Sequence, residues 1–186
     1  MTVVDIEDDG DLDVLRGSGL LLTNDGTGRY PYVLDAVDVW PEAVYPQTFR
    51  DAAAFGDFNG DGHMDAVVRM DEFILFGGAE FRQMRLFAGD GTGGFRDAGP
   101  AAELFVLIAP VSWDSLPVAD LDDDGDLDLL GRDGLWANDG SGFFSFTPLW
   151  TGDARAVADV DADDDLDVLT SVPTDVFVAD LVLQRN

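Results

Sequence analysis

Asp120-Leu121-Asp122-Asp123-Asp124-Gly125-Asp126-Leu127-Asp128 sets a carboxylate at every second position, a glycine at the sixth and an aspartate at the ninth. Nearly the same nine residues occur three more times. They are Asp5-Ile6-Glu7-Asp8-Asp9-Gly10-Asp11-Leu12-Asp13, Asp57-Phe58-Asn59-Gly60-Asp61-Gly62-His63-Met64-Asp65 and Asp159-Val160-Asp161-Ala162-Asp163-Asp164-Asp165-Leu166-Asp167. Carboxylates packed this closely repel one another unless a hard cation lies among them. A donor set of oxygens, with no Cys and no ordering His, points to calcium. Recurrence of the unit every few dozen residues announces a modular array.

Short apolar runs flank each motif. Thr2-Val3-Val4, Ala52-Ala53-Ala54-Phe55, Pro117-Val118-Ala119 and Ala156-Val157-Ala158 precede them. Val14-Leu15, Ala66-Val67-Val68, Leu129-Leu130 and Val168-Leu169 follow. None reaches the length of a periodic helix, so each reads as a strand. Three repeats then carry a second signature, a strand running into a Gly-rich turn: Asn24-Asp25-Gly26-Thr27-Gly28, Gly89-Asp90-Gly91-Thr92-Gly93 and Asn138-Asp139-Gly140-Ser141-Gly142. Asp-Gly supplies the positive φ that a tight hairpin needs. An aromatic segment follows each turn: Tyr30-Pro31-Tyr32, Phe95 and Phe143-Phe144-Ser145-Phe146. The unit is therefore strand, acidic loop, strand, strand, turn, strand, one four-stranded antiparallel sheet per repeat.

Such a sheet is apolar on both faces and must stack on its neighbours, which is the logic of a β-propeller. Motif-to-motif spacings of 52, 63 and 39 residues bracket the roughly 40–50 of a blade. The expected fold is all-β: a single propeller domain over 1–186 with about four blades, near 1–48, 49–115, 116–152 and 153–186. The alternative is an incomplete arc that pairs with another copy or belongs to a larger ring. The run Glu72-Phe73-Ile74-Leu75-Phe76-Gly77-Gly78 is extra to the second repeat and reads as an elaborated loop or added strand. The short last repeat either lacks its fourth strand or compresses it into Leu181-Val182-Leu183-Gln184.

Charge placement supports the motif reading. The 186 residues carry a formal net charge of −28 with 46% apolar residues, so the chain is not a disordered acidic tail. The four windows hold 20 Asp and one Glu; the other 150 residues have 17 acids and 10 Arg, an ordinary balance. Adaptation to high salt would spread acid over the surface, and remains a contributing alternative. No basic stripe exists to neutralise phosphates, so nucleic acid is a poor partner. No apolar run approaches the ~20 residues of a membrane-spanning helix. The N-terminus enters the first motif at once and lacks the regions of a signal peptide, so an exported protein would have lost its leader here or be a piece of something longer. Absence of Cys excludes disulfides and thiolate sites.

The ordered pairing of Asp-rich loop and downstream Asn/Gly-Asp-Gly-Thr/Ser-Gly turn, over nearly the whole chain, resembles the FG-GAP/VCBS repeats. These occur in integrin-α-type propellers and many bacterial surface proteins. The resemblance implies that each loop joins the first two strands of a blade and holds one calcium ion. It also implies a secreted or cell-surface propeller used in adhesion or ligand binding.

Within a loop, side-chain oxygens at positions 1, 3 and 5 can converge, the sixth residue makes the bend, the seventh offers its carbonyl and the ninth closes the cage. The expected ligands are Asp5, Glu7, Asp9, Asp11 (carbonyl) and Asp13; Asp57, Asn59, Asp61, His63 (carbonyl) and Asp65. In the later loops they are Asp120, Asp122, Asp124, Asp126 (carbonyl) and Asp128; Asp159, Asp161, Asp163, Asp165 (carbonyl) and Asp167. Up to four Ca2+ are accommodated. Positions 2 and 8 are apolar throughout, and their side chains can anchor the loop to the sheet core. An EF-hand is excluded, because the twelfth positions are Arg16, Val68, Gly131 and Thr170 rather than the required Glu. Glu7 reaches one methylene further than Asp, and Asp164 stands where the other loops have glycine.

Catalytic parts are few. His63, the lone histidine, is expected to turn its ring to solvent. With no Cys or Lys, most nucleophilic and zinc schemes lack components. Trp40, Trp113, Trp136 and Trp150 read as packing between blades, the alternative being platforms for sugar rings. The expectation is a non-enzymatic calcium-stabilised module that binds protein or glycan outside the cell. An assembly module, with homo-oligomerisation, is the first alternative; a polysaccharide-active enzyme is the second.

Overall fold

A computed structural model describes residues 2–16, 20–34, 49–73, 80–102, 116–163, 165–175 and 178–184. Every regular element among them is a β-strand, and no helix is long and apolar enough to cross a membrane. The first sheet holds β1 (Thr2–Val4), β2 (Asp13–Arg16), β3 (Leu20–Thr23) and β4 (Tyr32–Leu34), antiparallel in chain order. The second repeats that order with β5 (Phe49–Gly56), β6 (Asp65–Phe73), β7 (Glu80–Gly89) and β8 (Phe95–Pro100). The third runs β9 (Val118–Ala119), β10 (Asp128–Leu130), β11 (Arg132–Asn138), β12 (Phe144–Ala158), β13 (Asp167–Asp175) and β14 (Val178–Gln184). Loops 1 to 3, the nine-residue motifs in chain order, join the first two strands of their units, and loop 4 joins β12 to β13.

One sheet per repeat holds for the first two units and fails for the last two. The cause is β12. Its first residues pair with β11, from Phe144↔Asn138 to Pro148↔Gly134 and, past an irregularity, Asp153↔Arg132; its last pair with β13, from Asp153↔Ser171 to Ala158↔Asp167, so Asp153 is paired on both sides. One strand thus closes the third unit and opens the fourth. The change of partner is pinned at a bend where Gly152 takes φ 93° and its N–H donates to Asp133 Oδ1 at 2.7 Å. Trp150 Nε1 donates to the Gly131 carbonyl at 3.2 Å beside it. In the second unit, Glu72 and Phe73 end β6 and pair with β7 through Glu72↔Phe81 and Phe73↔Glu80. The rest of that apolar insertion, and Trp40 and Trp113, lie outside the described residues.

Side-chain alternation shows how the sheets stack. In β6, Val67 belongs to a core cluster with Leu129, Trp136 and Phe144 of the third sheet. Its neighbours Ala66 and Val68 belong to another, with Val4, Ile6 and Leu21 of the first. All three are fully buried. Successive residues of a strand point to opposite faces, so β6 lies between two sheets. Leu129 and Leu130 of β10 divide in the same way, Leu130 packing with Trp150, Ala154 and Val168. Trp136 and Trp150 are both buried in this packing.

Between loops 3 and 4 the stacking is looser. A cavity of about 450 Å³ lies there, walled by Leu121, Leu135, Leu149 and Leu166 and edged by Asp123 and Asp165. At the two earlier junctions, between first and second sheets and between second and third, an aromatic after the Asp-Gly turn fills the equivalent space. These are Phe95 and Phe144, each at most 5% exposed. Among the described residues the fourth unit has no such turn.

Candidate metal centres

Loops 1 to 3 are each shaped by two left-handed residues, at positions 4 and 6, and loop 4 has one at position 4. Position 6 is Gly10 (φ 90°), Gly62 (φ 89°) and Gly125 (φ 96°); Asp164 lies outside the described residues. Position 4 is Asp8 (φ 55°), Gly60 (φ 74°), Asp123 (φ 61°) and Ala162 (φ 62°). Sequence reasoning finds the sixth position through its glycine and misses the fourth, because Asp, Gly and Ala all stand there and leave no common side chain. Asp tolerates this region better than alanine does, and alanine there costs about 1–2 kcal/mol. Ala162→Gly is accordingly expected to stabilise the protein by about 1 kcal/mol, read as a higher urea midpoint at unchanged slope.

The first carboxylate gathers the bend. Asp5 Oδ1 and Oδ2 accept the N–H groups of Asp9 (3.2 Å) and Gly10 (2.9 Å). Asp57 takes those of Gly60, Asp61 and Gly62, and Asp120 those of Asp124 (3.1 Å) and Gly125 (3.0 Å). Asp159 accepts from Ala162 at 2.7 Å and Asp163 at 3.3 Å. At position 5 the carboxylate accepts the N–H two residues on: Asp11 to Asp9, His63 to Asp61, Asp126 to Asp124 and Asp165 to Asp163. These bonds set the loop's shape from its own backbone; Asp57 Oδ1 and Asp159 Oδ1 each accept two N–H groups, which leaves a cation the second oxygen of those carboxylates.

The ninth position has a role the motif conceals. Asp13, Asp65 and Asp128 are fully buried and Asp167 nearly so. One oxygen of each accepts the N–H of position 2: Ile6 (3.0 Å), Phe58 (3.1 Å), Leu121 (3.0 Å) and Val160 (3.1 Å). In three of them the other oxygen reaches the start of the Asp-Gly turn, accepting from Asn24 (2.8 Å), Gly89 (3.0 Å) and Asn138 (2.9 Å). The closing aspartate therefore ties loop to turn, two segments the sequence presents as separate signatures. Asn138 extends the tie, donating from Nδ2 to the carbonyls of Phe58 (2.9 Å) and Leu127 (3.2 Å). The second unit has glycine at that place because a Cβ on Gly89 would lie 2.1 Å from the Met64 carbonyl oxygen.

Cation geometry is met in two loops. Oxygens of Asp120, Asp122 and Asp124 lie within 4.8 Å of one another, as do those of Asp159, Asp161 and Asp167. Ligands around Ca2+ at 2.3–2.6 Å are separated by no more than about 5 Å, so both sets fit the ion. Asp128 of loop 3 stays with its backbone donors, and Asp163 of loop 4 with Asp165. In loop 2, Asn59 takes position 3 and its Nδ2 donates to Asp65 Oδ1 at 3.3 Å. In loop 1 burial raises the Glu7 carboxyl above its ordinary value, and the charges of Asp13, Asp9 and Asp5 add to the shift. Burial likewise raises Asp122, with Asp124 and Asp120 contributing, and raises Asp65 and Asp128 against their N–H donors.

His63 keeps its ring exposed, as expected, and also makes a contact that the sequence does not announce. Its Nδ1 lies 2.6 Å from Asp8 Oδ2, bridging loop 2 to loop 1, and that hydrogen bond raises the imidazole's affinity for its proton. No spacing rule joins residues 55 positions apart in different loops. The turn aspartates are folding devices, as their dipeptides suggest. Thr27, Thr92 and Ser141 donate hydroxyl and backbone N–H to Asp25, Asp90 and Asp139, lowering each carboxyl. In comparisons with known proteins, the chain matches no family model, no curated sequence and no solved structure.

Proposed function

We propose that this chain is a calcium-stabilised β-propeller-type repeat module of the FG-GAP/VCBS kind. On this reading it is non-enzymatic, stands outside the cell and binds a protein or glycan. The observation that carries the reading is the convergence of three carboxylates in loop 3 and again in loop 4, at separations matched to Ca2+. Calcium is structural here: the loops sit at the stacked edges of the sheets, and the ion offsets anions that the fold brings together. Extracellular calcium modules bind at about 10⁻⁴–10⁻³ M, which keeps such sites filled outside a cell.

Calorimetric titration of chelator-treated protein tests it. The expected result is at least two bound Ca2+ per chain, with one site lost in Asp124→Ala. Absence of calcium binding at millimolar concentrations overturns the metal reading. A glycan and protein array probed in calcium then tests the binding role, which fails if nothing is retained. A second reading, an assembly module, is favoured by apolar residues exposed at the two ends of the stack.

A further inference from the structure

Every closed junction in this stack obeys one packing rule. The apolar residue at position 2 of one loop is covered by position 8 of the next loop and by the aromatic that follows the next unit's Asp-Gly turn. At the first junction Ile6, 2% exposed, lies with Met64 and Phe95. At the second, Phe58, 1% exposed, lies with Leu127 and Phe144, its ring edge-on to Phe144 at 5.5 Å.

The two ends of the stack hold the unmatched halves of that rule. Val160, at position 2 of loop 4, is 60% exposed. Leu12, at position 8 of loop 1, is 56% exposed, and Tyr30, in the place of Phe95 and Phe144, is 40% exposed. Since all three are open in the same molecule, one end does not cover the other within the chain. We infer that the exposed Leu12–Tyr30 face of one copy docks over Val160 of a second copy, joining chains head to tail by the packing used inside each chain.

Charge at the contact agrees with this occupant. Positions 4 and 7 face each other across a junction, as Asp8 and His63 do at the first. At the third junction they are Asp123 and Asp165, two like charges on the edge of an unfilled cavity. Across the proposed contact they are Ala162 and Asp11, so these two positions form no like pair. The occupant is a copy of this chain because the chain itself carries the matching half. A heterologous contact of this kind closes into a ring or propagates. The inference deepens the assembly reading and stands apart from the calcium reading, because bound calcium and molecular mass are measured separately.

Sedimentation velocity over about 10 μM to 1 mM protein in millimolar calcium provides the test, with tryptophan fluorescence and thermal melts confirming that variants fold. The mass is expected to rise with concentration to two chains or more. Val160→Ser and Leu12→Ser are each expected to weaken association about tenfold or more, the effect of stripping one buried aliphatic side chain. Mixed together, they are expected to regain a 1:1 pair that grows no further, since each retains one intact face. As the chain has no cysteine, Val160→Cys and Leu12→Cys give a second reading. The mixture should form a crossed disulfide under mild oxidation and neither variant alone should. A monomer at every concentration, association indifferent to both Ser variants, no recovery on mixing, or self-pairing by a single Cys variant each overturns the inference. Monomeric protein that still binds calcium defeats this inference alone, and associating protein that binds no calcium defeats the metal reading alone.

Discussion

Calcium added to chelator-treated protein is expected to raise its thermal midpoint by about 10 °C, and magnesium at the same concentration by much less. Two filled sites at about ten times their dissociation constants stabilise the folded chain by about 3 kcal/mol, and a chain of this size shifts about 2–4 °C per kcal/mol. Magnesium demands a smaller octahedral shell and sheds water reluctantly, so the three-carboxylate clusters suit it poorly. The raised carboxyls of Glu7, Asp65, Asp122 and Asp128 add a pH signature. A group whose pKa rises on folding stabilises the fold below its unfolded value, near 4, and that contribution is lost as pH rises through the folded value. Asp25, Asp90 and Asp139 are lowered, so their contribution persists above about 4 and is lost only in stronger acid. Calcium-free protein should therefore be most stable near the lower end of the carboxylate range, and calcium should move that optimum toward neutrality. Differential scanning calorimetry across pH, with and without calcium, measures both effects. An unchanged midpoint in calcium would leave the clustered anions without their proposed counter-ion.

Asp65→Ala is expected to cost about 4 kcal/mol in the absence of calcium as well as in its presence. The substitution leaves the buried N–H of Phe58 and the partly buried N–H of Gly89 without their acceptor, and each orphaned donor costs about 1–3 kcal/mol. It also unties the loop from the turn that carries Phe95. Asp124→Ala supplies the contrast. Asp124 is exposed and accepts the Asp126 N–H at the surface, so its loss should cost under about 1 kcal/mol without calcium. It should nevertheless reduce the calcium response, because one of three convergent ligands is gone. Urea unfolding of both variants in chelator and in calcium separates the two roles. Equal losses for Asp65→Ala and Asp124→Ala in chelator would show that the buried tie carries no special weight.

The sequence makes local chemistry legible and long-range chemistry opaque. Loop boundaries, the Asp-Gly turns and the strands that flank them are readable because each is encoded within about ten neighbouring residues. Alternation in Ala66-Val67-Val68 signals a strand, and only the stacked structure shows that its two faces serve different cores. The double duty of Asp13, Asp65 and Asp128 is hidden for a related reason. A carboxylate placed to close a cage and one placed to accept two backbone N–H groups occupy the same motif position, and only burial distinguishes them. The bridge from His63 to Asp8 joins different loops, and no periodicity predicts it. The merging of the third and fourth units escapes sequence reading because Phe144–Ala158 lacks a break strong enough to stop a strand. Gly152 bends that strand without ending it.

That continuous strand has a kinetic consequence. The first and second units meet through side chains, whereas the third and fourth share one backbone ladder. Amide hydrogens of β11 and β13 should therefore exchange with solvent as one cooperative block, released by a common opening event. A protease nick near the bend, at residues 148–153, would fray both units together.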